Sequence, residues 1–291
     1  MHKFLRSIGF SRLRELDDLS RLIQDVLVHY DFKKTAVDED GHLFAEISKE
    51  FAPDIGVTVC GTYDNENLFH MEYLFPFFLG SQVTSYEEIA VERHLATESF
   101  AGACDDMRVG TTLIFYISNA GEYISMSAGG QIKDTATSVS LSALAESGTV
   151  LFPVRKEQKA QPVDPKTLEE RTSLFNAAQN GDEDAIESLT MEDYDTYTML
   201  SHRVQNEDIY TIVDSYFMPY GMECDLYNIM GDITSCEEVR NHATGEKMYE
   251  LGVLCNDVPL DVCINEKDLT GEPEVGRRLK AIIWLQGRLN F

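Results

Sequence analysis

Apolar residues recur at intervals of three and four between residues 13 and 30, which places them on one face of a helix. Ser11 is a suitable N-cap for that helix. The pattern therefore predicts an amphipathic helix from Ser11 to about Tyr30. The apolar residues just before it, at positions 4–10, predict a short strand.

The rest of the first 155 residues is dominated by alternating or β-branched runs. Asp64–Asn67 separates two of these runs and is typical of a hairpin turn. A strand, a helix and then hairpins indicate an α+β domain with a mostly antiparallel sheet. The clearest strand-like runs are HLFAEISKEF, GVTVCGTY, NLFHMEYLF and RVGTTLIFYIS.

A polar stretch with two prolines, KEQKAQPVDPK, follows the first domain. We predict domain 1–155, a linker over 156–166 and a helical segment over 167–222. The strongest helix of that segment runs from Asn206 to Phe217, because its apolar residues fall on one face. Pro219 and Gly221 stand where that helix would end.

Residues 223–291 return to short strands separated by turn-rich pieces. Four or five strands in so few residues, with Gly231 inside the first long one as a bend or bulge, suggest a small β-barrel. An OB-like barrel is the first interpretation, and a generic β-sandwich is the second. The predicted fold class is therefore α+β, with a mostly antiparallel N-terminal domain and a helical segment packed on a small C-terminal OB-like barrel.

Two long phrases, YTIVDSYFMPYGMECDLYNIMGDI at 210–233 and VGRRLKAIIWLQGRLNF at 275–291, carry a family resemblance. The chain resembles, over most of its length, an uncharacterised family of acidic proteins from anaerobic Gram-positive bacteria, defined only as a domain of unknown function. The resemblance implies a bacterial cytosolic protein. It implies no activity and no site residues.

Charge narrows the possible partners. The 291 residues carry 24 basic and 50 acidic side chains, a net charge of −26. The acid is concentrated in the middle of the chain, with net −13 over 37–155 and −10 over 156–223, against +2 over 1–36 and −5 over 224–291. This distribution argues against a broad nucleic-acid footprint. An anionic ligand, or the acidic middle of a second copy, would find cations only near the two ends.

Cysteine usage and apolar run length predict a soluble cytoplasmic protein. The six cysteines form no C-x-x-C pair, and we expect them to be free structural thiols. No apolar run approaches the roughly 18 residues of a membrane helix, and we expect no membrane partner. The sequence also lacks phosphate-loop, dinucleotide, zinc-protease and calcium-loop motifs. We therefore predict no cofactor and no metal.

The final strand offers the first candidate site. Alternation places Leu279, Ala281, Ile283 and Leu285 on a core face. The opposite face carries cations around the single tryptophan, a composition typical of stacking platforms for nucleotides or single-stranded nucleic acid. The same pattern would arise if the long cationic side chains covered a hydrophobic sheet face and paired with carboxylates. A bulge at Gly287 would also move Arg288 away from this face. The candidate ligand-binding residues are Arg278, Lys280, Trp284 and Arg288.

The second candidate site lies on the hairpin. If Tyr63 pairs with Leu68, then His70 falls opposite Gly61 and Glu72 falls opposite Val59. His70 and Glu72 would then form an acid–base pair in a shallow pocket. An ordinary polar contact on an exposed face is the alternative, and a hairpin loop that differs by one residue would flip the pairing.

The sequence predicts two folded domains and contains no recognisable set of catalytic residues. This combination favours a non-catalytic interaction or regulatory protein that binds a protein partner or a second copy of itself. The first alternative is a nucleotide or single-stranded nucleic-acid binder that uses the C-terminal barrel. The second alternative is an enzyme of unrecognised type that uses His70 and Glu72.

Overall fold

The structure of the protein is a computed structural model that describes residues 2–13, 15–37, 41–93, 99–128, 138–153, 210 and 213–291. Residues Met1–Phe152 and Ser215–Phe291 form one compact unit, and Pro153–Asp214 forms a second. The first unit contains helices α1 (Leu16–Val28) and α2 (Ala120–Ala128). Short 3-10 helices lie at Lys3–Leu5 and Glu266–Asp268.

A four-stranded antiparallel sheet, called here the small sheet, has the order β1-β2-β3-β4. Helix α1 contacts β2 and β3, and α2 contacts β1 and β2. The strands carry apolar residues at most positions because both faces of the sheet are partly covered. Their bounds are β1 Phe32–Val37, β2 Leu43–Ala52, β3 Ile55–Tyr63 and β4 Phe69–Phe78.

The remaining strands form a large sheet. β8 pairs with both β12 and β14, so the order β8-β12-β11-β10-β14 closes into a five-stranded barrel. β14 also continues through β7 to β6 and β5. The bounds are β5 Ile89–Arg93, β6 Phe100–Asp106, β7 Thr111–Ile117, β8 Ser138–Leu151, β9 Tyr216–Pro219, β10 Leu226–Arg240, β11 Lys247–Cys255, β12 Val258–Asn265, β13 Leu269–Thr270 and β14 Arg278–Asn290.

In the part of the chain that the structure describes, the fold is mostly β with few helices and contains a closed barrel, which agrees with the coarse prediction of strands, a helix and a barrel. The predicted strands over 42–51 and 108–118 correspond to β2 and β7. The predicted hairpin corresponds to β3 and β4. The C-terminal runs correspond to β10, β11, β12 and β14.

The N-terminal segment differs from its prediction. Residues 4–10 form a 3-10 turn and further turns instead of a strand, and α1 begins at Leu16 rather than at Ser11. Ser11 caps no helix, because its hydroxyl donates to Glu246 Oε1 at 2.7 Å. Phe4, Leu5 and Ile8 are buried because this segment packs against barrel strand β8.

The strands of the barrel come from two of the predicted domains. β8 comes from the range predicted as a separate N-terminal domain, 1–155, yet it pairs with β12 and β14 from the range 223–291. The strand at 138–151 is buried over its first eight residues, so its backbone needs hydrogen-bond partners on both edges, and strands from the end of the chain provide them. The barrel is therefore not built from 223–291 alone.

The predicted helix from Asn206 to Phe217 is wrong at its end, where Tyr216 and Phe217 belong to strand β9, paired with β10. The hydrogen-bonding edge of β10 outweighs the local helical periodicity there. Residues 213–215 of that prediction form no helix, and residues 206–209, 211 and 212 lie outside the described residues, as do the linker 156–166 and residues 167–205 of the helical segment. Gly231 is not the bulge either, since the register shift of β10 falls between Ile233 and Ser235.

Gln286 joins the barrel to the small sheet. Its fully buried side chain accepts from the Phe78 backbone N–H at 3.1 Å and donates to the Pro76 carbonyl at 2.7 Å. Both partners lie at the end of β4. This pairing holds the small sheet against the barrel and positions the face that bears the candidate site.

Candidate functional site

Four chemically distinct side chains lie in one row across the small sheet. Lys34, Glu46, Cys60 and Tyr73 are direct neighbours in the register of β1, β2, β3 and β4. Residues opposite each other in adjacent strands project from the same face. We call these four residues the polar row. Tyr116 of β7 interacts with the polar row from the large sheet.

Glu46 acts as an N-terminal cap for helix α2. The backbone N–H groups of Ala120 and Gly121 donate to its carboxylate. Asn119 precedes the helix, but its side chain bonds to β14 instead. The side-chain amide donates to the Leu289 carbonyl and accepts from the Leu289 backbone N–H, each at 3.0 Å. The first N–H groups of α2 therefore receive their acceptor from a strand of the small sheet.

Glu46 is 7% exposed, and its Oε1 atom has no hydrogen-bond partner among the described residues. Burial raises the pKa of Glu46 to about 7, although the hydrogen bonds from Gly121 and Ala120 act in the opposite direction. A carboxyl group with this pKa changes its protonation state near neutral pH. Glu46 is therefore the group of the polar row that can hold and release a proton.

Cys60 and Tyr73 of the polar row, and the neighbouring Tyr116, stay protonated. Burial raises the pKa of the Cys60 thiol well above its ordinary value, and Glu46 beside it acts in the same direction. Burial likewise raises the pKa of Tyr73 and of Tyr116. A fully buried thiol of this kind is not an activated nucleophile.

Access also limits the chemistry of the polar row. Cys60 is 0% exposed and Glu46 is covered by the start of α2, where a Cβ atom on Gly121 would lie 2.7 Å from Glu46 Oε2. A substrate could reach these groups only if α2 moved. The closed arrangement can store a proton, but it is not an open active site.

The structure gives His70 and Glu72 cross-strand neighbours other than the predicted ones. The predicted register is wrong: Tyr63 pairs with Phe69, and His70 falls opposite Thr62. Glu72 is the extra residue of a β-bulge, between the pairs that Gly61 and Cys60 form. The physical reason is a connection one residue longer than assumed, which shifts every later pair.

His70 and Glu72 have different partners in the hairpin. His70 Nε2 lies 2.7 Å from Asp64 Oδ2, and the His70 side chain is 61% exposed. Glu72 accepts from the Thr62 hydroxyl at 3.2 Å. Asp64 Oδ1 also accepts the Leu68 backbone N–H at 2.9 Å. These contacts are those of a stabilised hairpin end on an exposed surface.

Trp284 is buried rather than presented to solvent. It is 5% exposed and its ring stacks on Phe4 at 5.4 Å, with His2 and Tyr116 at 4.6 and 5.2 Å. Its indole N–H donates to Asp225 Oδ2 at 2.6 Å. The aromatic neighbours occupy the positions that a stacked base would need.

The predicted cations of β14 do not surround an open platform. Arg278 is 4% exposed and donates to the Phe152 carbonyl at 3.2 Å, Lys280 is half-buried opposite Met230, and Arg288 lies 3.7 Å from Glu122 of α2. The register shift of β14 falls between residues 282 and 283 rather than at Gly287. Both faces of this strand are covered along most of its length, because β14 is a barrel strand that also contacts the N-terminal segment.

Sequence reasoning passed over the polar row. The available signal was Glu46 itself, a carboxylate on the same face of a predicted strand as Phe44. Cys60 is one of the six cysteines predicted to be free structural thiols, and it is free and buried. The link between Cys60 and Tyr73 depends on the β-bulge at Glu72, which no local pattern indicates.

Within the described residues, these features define a mostly β protein with a closed barrel and a neighbouring polar row in which Glu46 and Cys60 are buried. The chain belongs to the family described as "Domain of unknown function, E. rectale Gene description (DUF3881)", whose model matches residues 5–287. No curated protein and no solved structure matches the chain. Within the described ranges, no helix has the length and apolar character needed to cross a membrane.

Proposed function

We propose that this protein is a non-catalytic interaction or regulatory protein whose partner presents a cationic surface. The observation that carries the proposal is that basic side chains of the protein pair with its own carboxylates. In the described part of the chain, basic side chains near both ends are held by carboxylates of the same chain, while the protein keeps a net charge of −26.

The ion pairs occur where an anionic ligand would otherwise bind. Arg6 Nε lies 2.7 Å from Asp268, and Lys267 Nζ lies 2.7 Å from Glu246. Such pairs cancel the local positive potential that phosphate recognition requires. Among the described residues, other cations within 4 Å of a carboxylate include Lys3, Arg12, Arg21, Lys49, Arg108, Arg240, Lys247, Arg277 and Arg288.

Several carboxylates repel each other between the β2–β3 turn and β11. Burial raises the pKa of Glu50, and Asp54 and Asp31 raise it further. Burial also raises the pKa of Glu250 to about 7, with added repulsion from Glu237. A surface with uncompensated acid attracts cationic partners and accelerates their association.

A bacterial cytoplasmic location belongs to the same proposal. All six cysteines are free, as we predicted, and four of them are buried. Free thiols are usual in a reducing compartment. The large negative charge supports solubility at the protein concentrations of a cytoplasm.

We also propose that the barrel is OB-like with an altered chain order. The strands β10, β11 and β12 form a meander, β14 returns antiparallel to β10, and β8 closes the barrel parallel to β12 and antiparallel to β14. Five strands in a closed, non-sequential order are features of that barrel type. An experimental structure compared strand by strand would test this assignment.

The interaction proposal is tested with two probes of opposite charge. A fluorescently labelled lysine-rich peptide and a single-stranded oligonucleotide of equal length are titrated at low and at physiological salt. We expect salt-dependent binding of the peptide and none of the oligonucleotide. Oligonucleotide binding as tight as that of the peptide would contradict the proposal and favour the nucleic-acid alternative.

A matched pair of double variants separates a defined contact from general charge attraction. Glu50→Gln with Asp54→Asn removes two charges from the repelling group, and Glu88→Gln with Glu92→Gln removes two exposed charges elsewhere. We expect the first variant to lose several-fold more affinity for the peptide. Equal losses would mean non-specific attraction and would count against a defined partner surface.

A further inference from the structure

The contact between Glu46 and α2 joins a titratable group to the start of a short helix. α2 has only nine residues and packs on β1 and β2. The N–H groups of Ala120 and Gly121 donate to a carboxylate from another element, while those of Glu122 and Tyr123 donate to the Asn119 carbonyl. A change in the charge of Glu46 therefore acts directly on the attachment of α2.

We infer that Glu46 is a proton-operated latch: its protonated side chain holds α2 against the small sheet, and ionisation favours release of the helix. The buried Oε1 atom carries the argument, since it has no partner among the described residues. A neutral acid tolerates that position, whereas a carboxylate loses the solvation of one oxygen. Movement of α2 would restore water to it.

The groups that face Glu46 do not cancel its charge. Cys60 and Tyr73 are protonated hydrogen-bonding groups, and Tyr116 is likewise neutral. Glu122 of α2 is a like charge that disfavours the ionised form. Lys34 of β1 favours ionisation, but its side chain is solvent-exposed and the net effect of the surroundings still opposes the charge.

The direction of the pH effect follows from the two protonation equilibria. Glu46 has a pKa of about 7 when α2 is closed, and an ordinary value of 4.5 once it is hydrated. Opening therefore becomes easier as the pH rises from 4.5 to about 7, and changes little above that. Acidification closes the latch.

Hydrogen exchange tests this inference. Exchange of the α2 amides is followed at pH 5, 6, 7 and 8 and corrected for the intrinsic rate. We expect opening of α2 to become at least roughly tenfold more favourable between pH 5 and pH 7 and then to level off. In Glu46→Gln, which keeps an acceptor but cannot ionise, the corrected exchange should be independent of pH.

Two controls distinguish the latch from general loss of stability. Glu250→Gln removes another carboxyl group whose pKa is raised to about 7 and should keep the pH dependence of α2. Peptides from β11 and β12 report global unfolding and should stay protected while α2 opens. The inference is overturned if wild type and Glu46→Gln share one pH profile, or if α2 and the barrel lose protection together. Should Glu46→Gln fail to fold, the comparison of α2 with the barrel in wild type decides.

Discussion

Glu46 and Gly121 approach so closely that a Cβ atom on Gly121 would lie 2.7 Å from Glu46 Oε2. Glycine at this position lets the start of α2 reach the buried carboxylate. The relationship explains why a residue with poor helix propensity stands in the first turn of a short helix.

Gly121→Ala is therefore expected to destabilise the protein. Alanine in a helix is normally more favourable than glycine by about 1 kcal/mol. Here the added methyl group would displace Glu46, and we expect the free energy of unfolding to fall by about 1–3 kcal/mol. Urea denaturation measures the change. Ser127→Ala, at an exposed position of the same helix, is the control and should be neutral or slightly stabilising.

Glu246 is expected to stabilise the N-terminal segment in a pH-dependent way. Burial alone would raise its pKa, but hydrogen bonds from Lys267, Ser11 and Asn265 outweigh burial and lower the pKa to about 2. Its contribution is therefore complete above the ordinary pKa of 4.5 and is lost as the pH falls toward 2. We expect Glu246→Gln to cost about 2–4 kcal/mol at pH 7.

Denaturation at pH 7 and at pH 3 measures this contribution, and the difference between wild type and variant should shrink at the lower pH. Glu238→Gln is the control, because the exposed Glu238 pairs with Lys247 and Arg240 at the surface. A cost of Glu246→Gln that does not change with pH would contradict the assigned role.

Trp284 allows its environment to be measured directly, because it is the only tryptophan. We expect blue-shifted emission, weak acrylamide quenching and no response to an oligonucleotide. Asp225→Ala removes the carboxylate acceptor of the indole N–H and should cost about 1–3 kcal/mol, with a red shift of the emission. Asp225→Asn keeps an oxygen acceptor and should resemble wild type. Quenching by an oligonucleotide would revive the stacking-platform hypothesis.

The hairpin residues are expected to act in structure rather than in catalysis. Asp64 accepts from the Glu66 and Leu68 backbone N–H groups as well as from His70. We therefore expect Asp64→Ala to increase hydrogen exchange of the β3–β4 hairpin more than His70→Ala does. Asp64→Asn should be intermediate. If His70→Ala alone loosens the hairpin as much as Asp64→Ala, the histidine has a larger role than its exposure indicates.

The local pattern of apolar residues was enough to predict the positions of many strands. It was not enough to predict how distant strands pair. Alternation and β-branching located β2, β3, β4 and β7, because these properties belong to single strands. The helix predicted through Phe217 was wrong at its end, since apolar spacing at 216 and 217 suits a strand as well once β10 offers an edge. The register predicted for His70 and Glu72 was wrong because the loop has one more residue and a bulge follows it.

The sequence by itself determined the acidic character, the free cysteines, the family and most of the strand positions, since these depend on composition or on near neighbours. Only the tertiary structure decided that β8 closes a barrel with strands from the end of the chain. It also decided that Trp284 is covered and that Lys34, Glu46, Cys60 and Tyr73 form one row. Those outcomes depend on register and on contacts between distant segments, whose energies no local pattern contains.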